Sequence, residues 1–297
     1  MRHSSTTASN RRSIRRSARA WVARAAVRAD GTECGRYEEP SVVFFAVCVH
    51  KGMSTDIVDR LDLMRKIGST FRSEVPAGTE SLWVFPGGYF GFNASLGNWA
   101  HLDDAALARI RQGVARGLDE FAEQSTIAFG VDSLIERRSL EAPRQQVWIA
   151  RRTPRPLLAK ITRGESALAD RLFRIGPLNA AFFVCGEFTG SKTDENGPFC
   201  EGGRGGLYLT NPAAQLPSST VLVDLAHREV SGSVSELRNR RMVHQLQMDR
   251  FASHGPAILA HHHSGRLSAG RPHFKHQSNW IVFRGGRWLE AKKVVQI

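Results

Sequence analysis

The chain has 297 residues, of which 41% are hydrophobic and 23% charged, a composition that is ordinary for a soluble globular protein and excludes a largely disordered chain. Its net charge of +13 comes largely from residues 1–29, which contain eight Arg and no acid, so the bulk charge does not indicate a nucleic-acid-binding protein. No apolar run approaches the length of a membrane-spanning helix.

The N-terminal segment differs in composition from the rest. Residues 1–39 are predicted to form a basic, disordered arm, and residues 40–297 a single domain. An Arg- and Ser-rich stretch without acids is also typical of an organelle transit peptide, and that alternative stays open. The cysteines form no CxxC pair, which suits a reducing interior and predicts a cytoplasmic protein.

The first half of the body alternates apolar strand patterns with two helical patterns. A cap at Ser54–Asp56 precedes apolar residues at helical spacing, and Asp103 precedes the apolar stripe of a second helix. β-Branched and aromatic runs predict strands at 41–49, 82–85, 126–131 and 145–150.

The second half continues the alternation without a Pro- or Ser-rich break. The patterns predict helices at 167–174 and 234–254, strands at 178–184, 220–225 and 256–260, and a closing hairpin at 279–283 and 288–295. The fold class is therefore α/β in a single domain, and the paired β segments indicate a sheet that is not purely parallel.

One cysteine stands at the end of a predicted buried strand. The apolar run 178–184 stops at Cys185, and Gly186 follows directly. Ligands and catalytic groups collect at the carboxyl ends of strands in open α/β folds, so Cys185 is a candidate nucleophile. A buried core thiol is the alternative interpretation, because cysteine is among the most buried residue types.

Several motifs occur in a fixed order along the chain. A Gly- and aromatic-rich turn covers 85–92, Lys160 follows the fourth strand, and the Cys185 strand ends in Val-Cys-Gly-Glu. With 127–130 and 278–282 in matching places, the chain resembles the nitrilase superfamily, also called carbon–nitrogen hydrolases. The resemblance implies an α-β-β-α sandwich with mixed sheets, a homodimer or larger homo-oligomer, and neither cofactor nor metal.

The resemblance also implies roles for individual residues. Cys185 matches the nucleophile that attacks a small amide or nitrile, and Lys160 matches the residue that stabilises the developing negative charge. Glu165 falls where many members carry a supporting Glu. Glu187 follows the Cys185-Gly186 pair and is a candidate replacement base.

The chain departs from the family at the general base. The family carries a Glu directly after Pro in the turn that follows the second strand, and here that position is Gly87. Losing a positioned general base costs on the order of 10²–10⁴ in rate. Two hypotheses follow: a hydrolase with an altered base, or an inactive nitrilase-like protein that binds a small ligand or a protein partner.

Aromatic and imidazole side chains complete the predicted pocket. Tyr89 and Phe90 lie in the turn after the second strand, and His227 and His261 end later strands. The resemblance places these residues beside the substrate. The run His261–His263 and the nearby His227 would also suit a metal, but no acid accompanies them at a recognisable spacing.

Overall fold

The computed structural model describes part of the chain. The described residues are 24–27, 33–39, 41–50, 52–134, 144–159, 165–166, 171–184, 208–209, 217, 220–227, 257–263, 267–268, 271–272, 282–284, 287–289 and 294–296. No helix within these ranges is long and apolar enough to cross a membrane.

The first half contains both described α-helices. In chain order its elements are β1 Arg24–Val27, β2 Glu33–Glu39, β3 Val42–His50, α1 Ile57–Phe71, β4 Glu80–Val84, β5 Phe92–Asn93, β6 Asn98–Trp99, α2 Asp104–Gly117, β7 Ser125–Ser133, β8 Arg144–Ala150 and β9 Arg155–Ala159. A short 3₁₀ turn follows each helix, at Arg72–Glu74 and Leu118–Glu120.

The described secondary-structure elements of the second half are strands. They are β10 Glu165–Ser166, β11 Leu172–Ile175, β12 Leu178–Val184, β13 Tyr208–Leu209, β14 Val221–Leu225, β15 Ala257–His263, β16 Leu267–Ser268, β17 Arg271–Pro272, β18 Val282–Arg284, β19 Arg287–Leu289 and β20 Val294–Gln296. The predicted helix at 234–254 lies outside the described residues.

A mixed sheet forms the centre of the fold. Within the described residues, neighbouring strands run parallel in the order β12, β14, β15, β3, β4 and β7. Antiparallel strands join this run, with β11 beside β12, β2 beside β3, and β8 and then β9 beyond β7. This arrangement confirms the predicted α/β class with a sheet that is not purely parallel.

Two apolar cores hold the layers together. The first lies between α1, α2 and one face of strands β3, β4 and β7, and contains Phe45, Ile67, Trp83, Ile110 and Phe129. The second lies between the two halves of the sheet, and contains Phe44, Leu82, Ala128, Phe182, Val223 and Ile258. Alternate residues of β3 belong to different cores because successive side chains of a strand point to opposite faces. The described layers are therefore helix, sheet and sheet.

Both helices begin where the sequence predicts. The Asp56 side chain accepts a hydrogen bond from the Val58 amide at the start of α1, and Asp103 does the same for the Ala106 amide at the start of α2. These caps satisfy amide groups that a helix leaves without intrahelical partners. Because α1 follows β3, its first turn lies near the edge of the sheet at which the parallel strands end.

Two predictions about secondary structure differ from the structure. The sheet begins before residue 40, since β2 pairs with β3 along its whole length and β1 pairs with β2. The predicted helix at 167–174 is wrong over residues 172–174, which belong to strand β11, and its first part, 167–170, lies outside the described residues. A turn at Gly176, with φ of 54°, folds this strand back onto β12, so strand pairing overrides the local helical pattern.

The predicted strands from 41–49 to 256–260 are confirmed within one to three residues, whereas the predicted strand 288–295 is present, among the described residues, as two separate strands, β19 and β20. Strand β15 continues to His263 instead of ending at 260. Its additional residues pair with the end of β3 and join the two halves of the sheet. The closing hairpin is present as β18 and β19, while β20 pairs with β1.

Candidate active site

The carboxyl ends of the parallel strands meet at one edge of the sheet. Strands β12, β14, β15, β3, β4 and β7 all end there, so residues that follow them are brought together from distant parts of the sequence. The described residues at this edge include a concentration of buried titratable side chains. We call this edge the carboxyl edge.

A buried carboxylate and imidazole form a pair at the carboxyl edge. Asp132, near the end of β7, lies 2.5 Å through Oδ2 from Nε2 of His227, which follows β14. Their side chains are 0% and 5% exposed. The Trp99 indole donates a second hydrogen bond to the same carboxylate oxygen, at 2.9 Å. The Gln145 amide nitrogen lies 3.5 Å from the same Nε2, but it only donates, so it makes no hydrogen bond there while Nε2 donates to Asp132.

The pair forms because a glycine allows the two halves of the sheet to approach. An ideal Cβ atom on Gly87 would lie 2.5 Å from the backbone oxygen of Leu225 and 2.9 Å from Cε1 of His227. These distances are too short for non-bonded atoms, so any side chain at 87 would push the ends of β4 and β14 apart. Gly87 is therefore required by packing at this position.

A second imidazole lies on the other side of the same turn. His262 Nε2 is 3.2 Å from the carbonyl oxygen of Gly87. Because a carbonyl oxygen only accepts, Nε2 carries the proton of this hydrogen bond. The Phe92 ring contacts His227 and His262, with ring centroids 5.1 and 5.7 Å away. Phe92 thus packs against both imidazoles.

The charge state of His262 follows from its surroundings. Burial and then the nearby Arg60 charge lower the pKa of His262 well below its ordinary value, and His227 acts in the same direction. His262 is therefore a neutral imidazole at neutral pH. It holds the backbone of the turn and carries no charge of its own.

Arg60 places a buried positive charge behind this cluster. It lies in the first turn of α1, is 1% exposed, and its guanidinium stands 5.2 Å from the centre of the Tyr89 ring. The Tyr89 hydroxyl donates to the backbone oxygen of Arg60 at 2.7 Å. The guanidinium nitrogens have no hydrogen-bond partner within the described part of the chain.

Three of the four predicted catalytic residues fall outside the described part of the chain. Cys185, Lys160 and Glu187 lie outside the described residues. Glu165 belongs to β10 and pairs with Tyr208 in a separate two-stranded ladder. Their catalytic roles stay predictions.

The predicted pocket residues are all buried. Tyr89 and Phe90 pack into the first apolar core, between the helices and the sheet, where the Phe90 ring contacts the Phe129 ring edge to face. His261 is 1% exposed, and its Nδ1 lies 3.0 Å from the backbone oxygen of His262. Of the predicted residues, His227 contacts the buried carboxylate at the carboxyl edge.

The sequence interpretation missed three residues of this site. Asp132 was the strongest available signal, since it directly follows the predicted strand 126–131 and acids at strand ends often belong to sites. Gln145, the second residue of β8, is the register partner of Asp132 on β7. Arg60 lies on the apolar stripe of α1, where a charged residue was itself a signal.

No group of three or more His, Cys, Asp or Glu side chains suitable for a metal ion occurs within the described ranges. His261 and His262 are adjacent on β15 and point to opposite faces. His262 faces the turn at Gly87, and Asp132 is bonded to His227 and Trp99.

No protein-family model and no curated protein matches the chain. Among solved structures, a variant of the amidase from Nesterenkonia AN1, of the nitrilase superfamily, is 10% identical, with a TM-score of 0.47 over 84% of this chain and 86% of that chain. A CN-hydrolase superfamily protein from Xanthomonas campestris, with an arsenic adduct in its active site, is 10% identical, with a TM-score of 0.38 over 75% of this chain and 77% of that one.

The chain is similar in fold to nitrilase-superfamily structures. At this identity and these TM-scores, the similarity does not determine activity, substrate or catalytic residues. The chemistry of this chain must therefore be argued from its own residues.

Proposed function

We propose that the chain is a carbon–nitrogen hydrolase that acts on a small amide or nitrile through the thiol of Cys185. The observation that supports it is the pairing of Val184 with Leu225 on neighbouring parallel strands. The strand that precedes Cys185 thus lies beside the strand that precedes His227, whose imidazole is buried against a carboxylate. A thiol becomes a nucleophile at neutral pH when a nearby group accepts its proton.

The other roles follow the resemblance in sequence. Lys160 stabilises the negative charge that develops on the attacked group, and Glu165 supports the site. For an amide, the thiol sulfur displaces the amine to give a thioester on Cys185. Water then cleaves the thioester to give a carboxylic acid and restore the thiol. The general base differs from the family pattern because position 87 has no side chain.

The test combines thiol labelling with a search for hydrolysis. Iodoacetamide should alkylate Cys185 at least about tenfold faster than Cys34 or Cys48, because a thiolate is the reactive species. Ammonia release from a panel of small amides and nitriles should disappear in C185A. C34A is the matched control, since burial raises the pKa of the Cys34 thiol well above its ordinary value and leaves it unreactive.

Equal labelling of the cysteines, together with no ammonia release from any compound, would overturn the proposal. That result would favour the second hypothesis, an inactive nitrilase-like protein that binds a small ligand or a partner. The two hypotheses differ in the reactivity of Cys185, because a binding protein has no need of an activated thiol.

We also infer a cytoplasmic location and a homodimer or larger homo-oligomer. The location is supported by cysteines that form no CxxC pair. The oligomeric state is supported by the sequence resemblance. Light scattering on the purified protein tests it, and a mass equal to that of one chain would contradict it.

A further inference from the structure

We propose that His227 is the general base that accepts the proton of the Cys185 thiol, and that Asp132 positions it. This inference rests on the proposed function, because it assigns a proton acceptor to the same nucleophile. The resulting Cys–His–Asp arrangement would use a base from strand β14 instead of one from the turn after β4.

The Asp132 contact fixes the imidazole tautomer. A carboxylate only accepts hydrogen bonds, so the 2.5 Å contact from His227 Nε2 to Asp132 Oδ2 requires the proton on Nε2. In the neutral imidazole with this tautomer, Nδ1 carries the lone pair that can accept a proton. The Trp99 indole, 2.9 Å from the same oxygen, holds the carboxylate in this orientation. A carboxylate that orients an imidazole in this way stabilises the imidazolium formed during catalysis.

The lone-pair side of the ring faces the turn after β4. An ideal Cβ on Gly87 would lie 3.0 Å from Nδ1 of His227 and 2.9 Å from Cε1. The imidazole therefore occupies the space into which a side chain at 87 would extend. It places a basic nitrogen at the turn from which the resemblance expects a carboxylate.

A base built on residue 87 itself does not fit this fold. Its Cβ would lie 2.5 Å from the backbone oxygen of Leu225, which is part of the sheet and cannot rotate away. The proton acceptor at this turn must therefore come from another strand. Gly87 and His227 are complementary, since the missing side chain makes the room that the imidazole fills.

The neighbouring imidazole is a poorer base. The charged or titratable groups around His227 include Asp132 on β7, His262 on β15 and, beyond His262, Arg60 on α1. Burial and the Arg60 charge lower the pKa of His262, which disfavours its protonated form. His227 has a carboxylate in direct contact to stabilise its protonated form.

The proposed steps balance in protons and electrons. The thiol proton moves to Nδ1 of His227, and the thiolate electron pair forms the S–C bond to the substrate carbon. As the C–N bond of the tetrahedral intermediate breaks, the imidazolium returns its proton to the leaving amine. In the second half, His227 takes a proton from water, which attacks the thioester, and then returns it to the departing thiolate.

The experiment compares H227Q and D132N with the parent and with H101Q, a control at an exposed histidine. Two quantities are measured against pH: the rate at which iodoacetamide alkylates Cys185, and the rate of amide hydrolysis. We expect hydrolysis to fall about 10²–10⁴-fold in H227Q, the range for loss of a general base. The alkylation midpoint should rise toward about 8.5, the ordinary pKa of a thiol.

Substitution of Asp132 should change the pH dependence of Cys185 alkylation as well as the rate of hydrolysis. D132N should lower hydrolysis by about 10-fold to 10⁴-fold and raise the alkylation midpoint, because the imidazolium loses its counter-charge. A purely structural role for Asp132 would lower both rates without moving the midpoint. H101Q should behave as the parent.

The outcomes separate this inference from the proposed function. A parent protein with an unreactive Cys185 and no hydrolysis would overturn both. A reactive, hydrolytic parent whose H227Q variant keeps its rates and midpoint would overturn the role of His227 alone. If H227Q does not fold, the pH midpoint of Cys185 alkylation in the parent protein is used instead. A midpoint below about 8.5 supports a base beside the thiol, and a midpoint at or above about 8.5 overturns the assignment of His227.

Discussion

The two ends of the parallel strands carry very different polar groups. At the amino ends of β4 and β7, the Ser81 and Ser125 hydroxyls lie 2.8 Å apart, and the Trp83 indole donates to Ser81 at 3.0 Å. These buried groups are neutral and bond to one another, and the charged residue at this end, Glu80, is partly exposed and paired with Arg151 at 3.1 Å. The carboxyl edge instead holds Asp132, two imidazoles and Arg60. There, Asp132 Oδ1 and His262 Nδ1 have no hydrogen-bond partner within the described residues.

The difference indicates which end is built for chemistry. A closed set of neutral hydrogen bonds satisfies buried groups at little cost and has a structural role. Buried titratable groups cost free energy unless they are compensated, so their concentration at one edge indicates a use. Both ends belong to the same strands, so the difference comes from side chains and not from the fold.

Removing one polar group from each end should have unequal effects. D132A should lower the free energy of unfolding by about 3–5 kcal/mol, because it removes the charged acceptor of two hydrogen bonds, from His227 and Trp99, each worth about 1.5–3 kcal/mol. S125A should cost about 1 kcal/mol, the net value of a neutral hydrogen bond. Urea denaturation measures both. Equal losses would remove the distinction between the two ends.

Adding a side chain at Gly87 should cause the next largest loss of stability. G87A should cost about 1–3 kcal/mol, because its Cβ would meet the Leu225 oxygen. Gly97, with φ of 66° and open space around it, is the control, and G97A should cost only about 1 kcal/mol of backbone strain. Gly87→Glu should not increase hydrolysis. A stable, more active Gly87→Glu protein would contradict the close approach described here.

The strands were predictable because their apolar runs are local signals. The β-branched and aromatic run of β3 and the caps of both helices lie within a few residues of the elements they specify. The sheet order and the start at β2 were not predictable, since they depend on pairing between distant segments. Strand β11 shows the same limit, because its pairing with β12 overrides a local helical pattern.

The site was predictable only in part for the same reason. Cys185 and His227 each end an apolar run, so both were recognised as candidates. The contact between Asp132 and His227 joins residues 95 positions apart, across the two halves of the sheet. In the sequence, the missing side chain at Gly87 suggested that the general base had been lost. In the fold, the space that such a side chain would need is occupied by the His227 ring.

The pH dependence of stability tests the neutral state of His262. Its pKa in the folded protein lies well below the ordinary value of 6.5, so the unfolded chain binds a proton first as the pH falls. Stability should therefore be complete above pH 6.5 and should decline as the pH falls below it. H262Q should flatten this decline by about 1.4 kcal/mol per pH unit, whereas H101Q should not. An unchanged slope in H262Q would contradict a neutral, buried His262.

The smallest expected effect concerns Arg60. R60M should raise the free energy of unfolding by about 1 kcal/mol, because it replaces a buried charge without a hydrogen-bond partner by an apolar chain of similar length. R65M on the exposed face of α1 is the control and should change stability by less than about 0.5 kcal/mol. A loss of stability in R60M would mean that the guanidinium is compensated at the carboxyl edge.

The most direct test of the activated thiol is its ionisation in the parent protein. The ultraviolet absorbance of thiolate is followed against pH for the parent and for C185S, and the difference isolates Cys185. Activation by the His227–Asp132 pair predicts a midpoint clearly below about 8.5, which moves upward in H227Q. A midpoint at or above about 8.5 in the parent would show that the carboxyl edge does not activate the thiol.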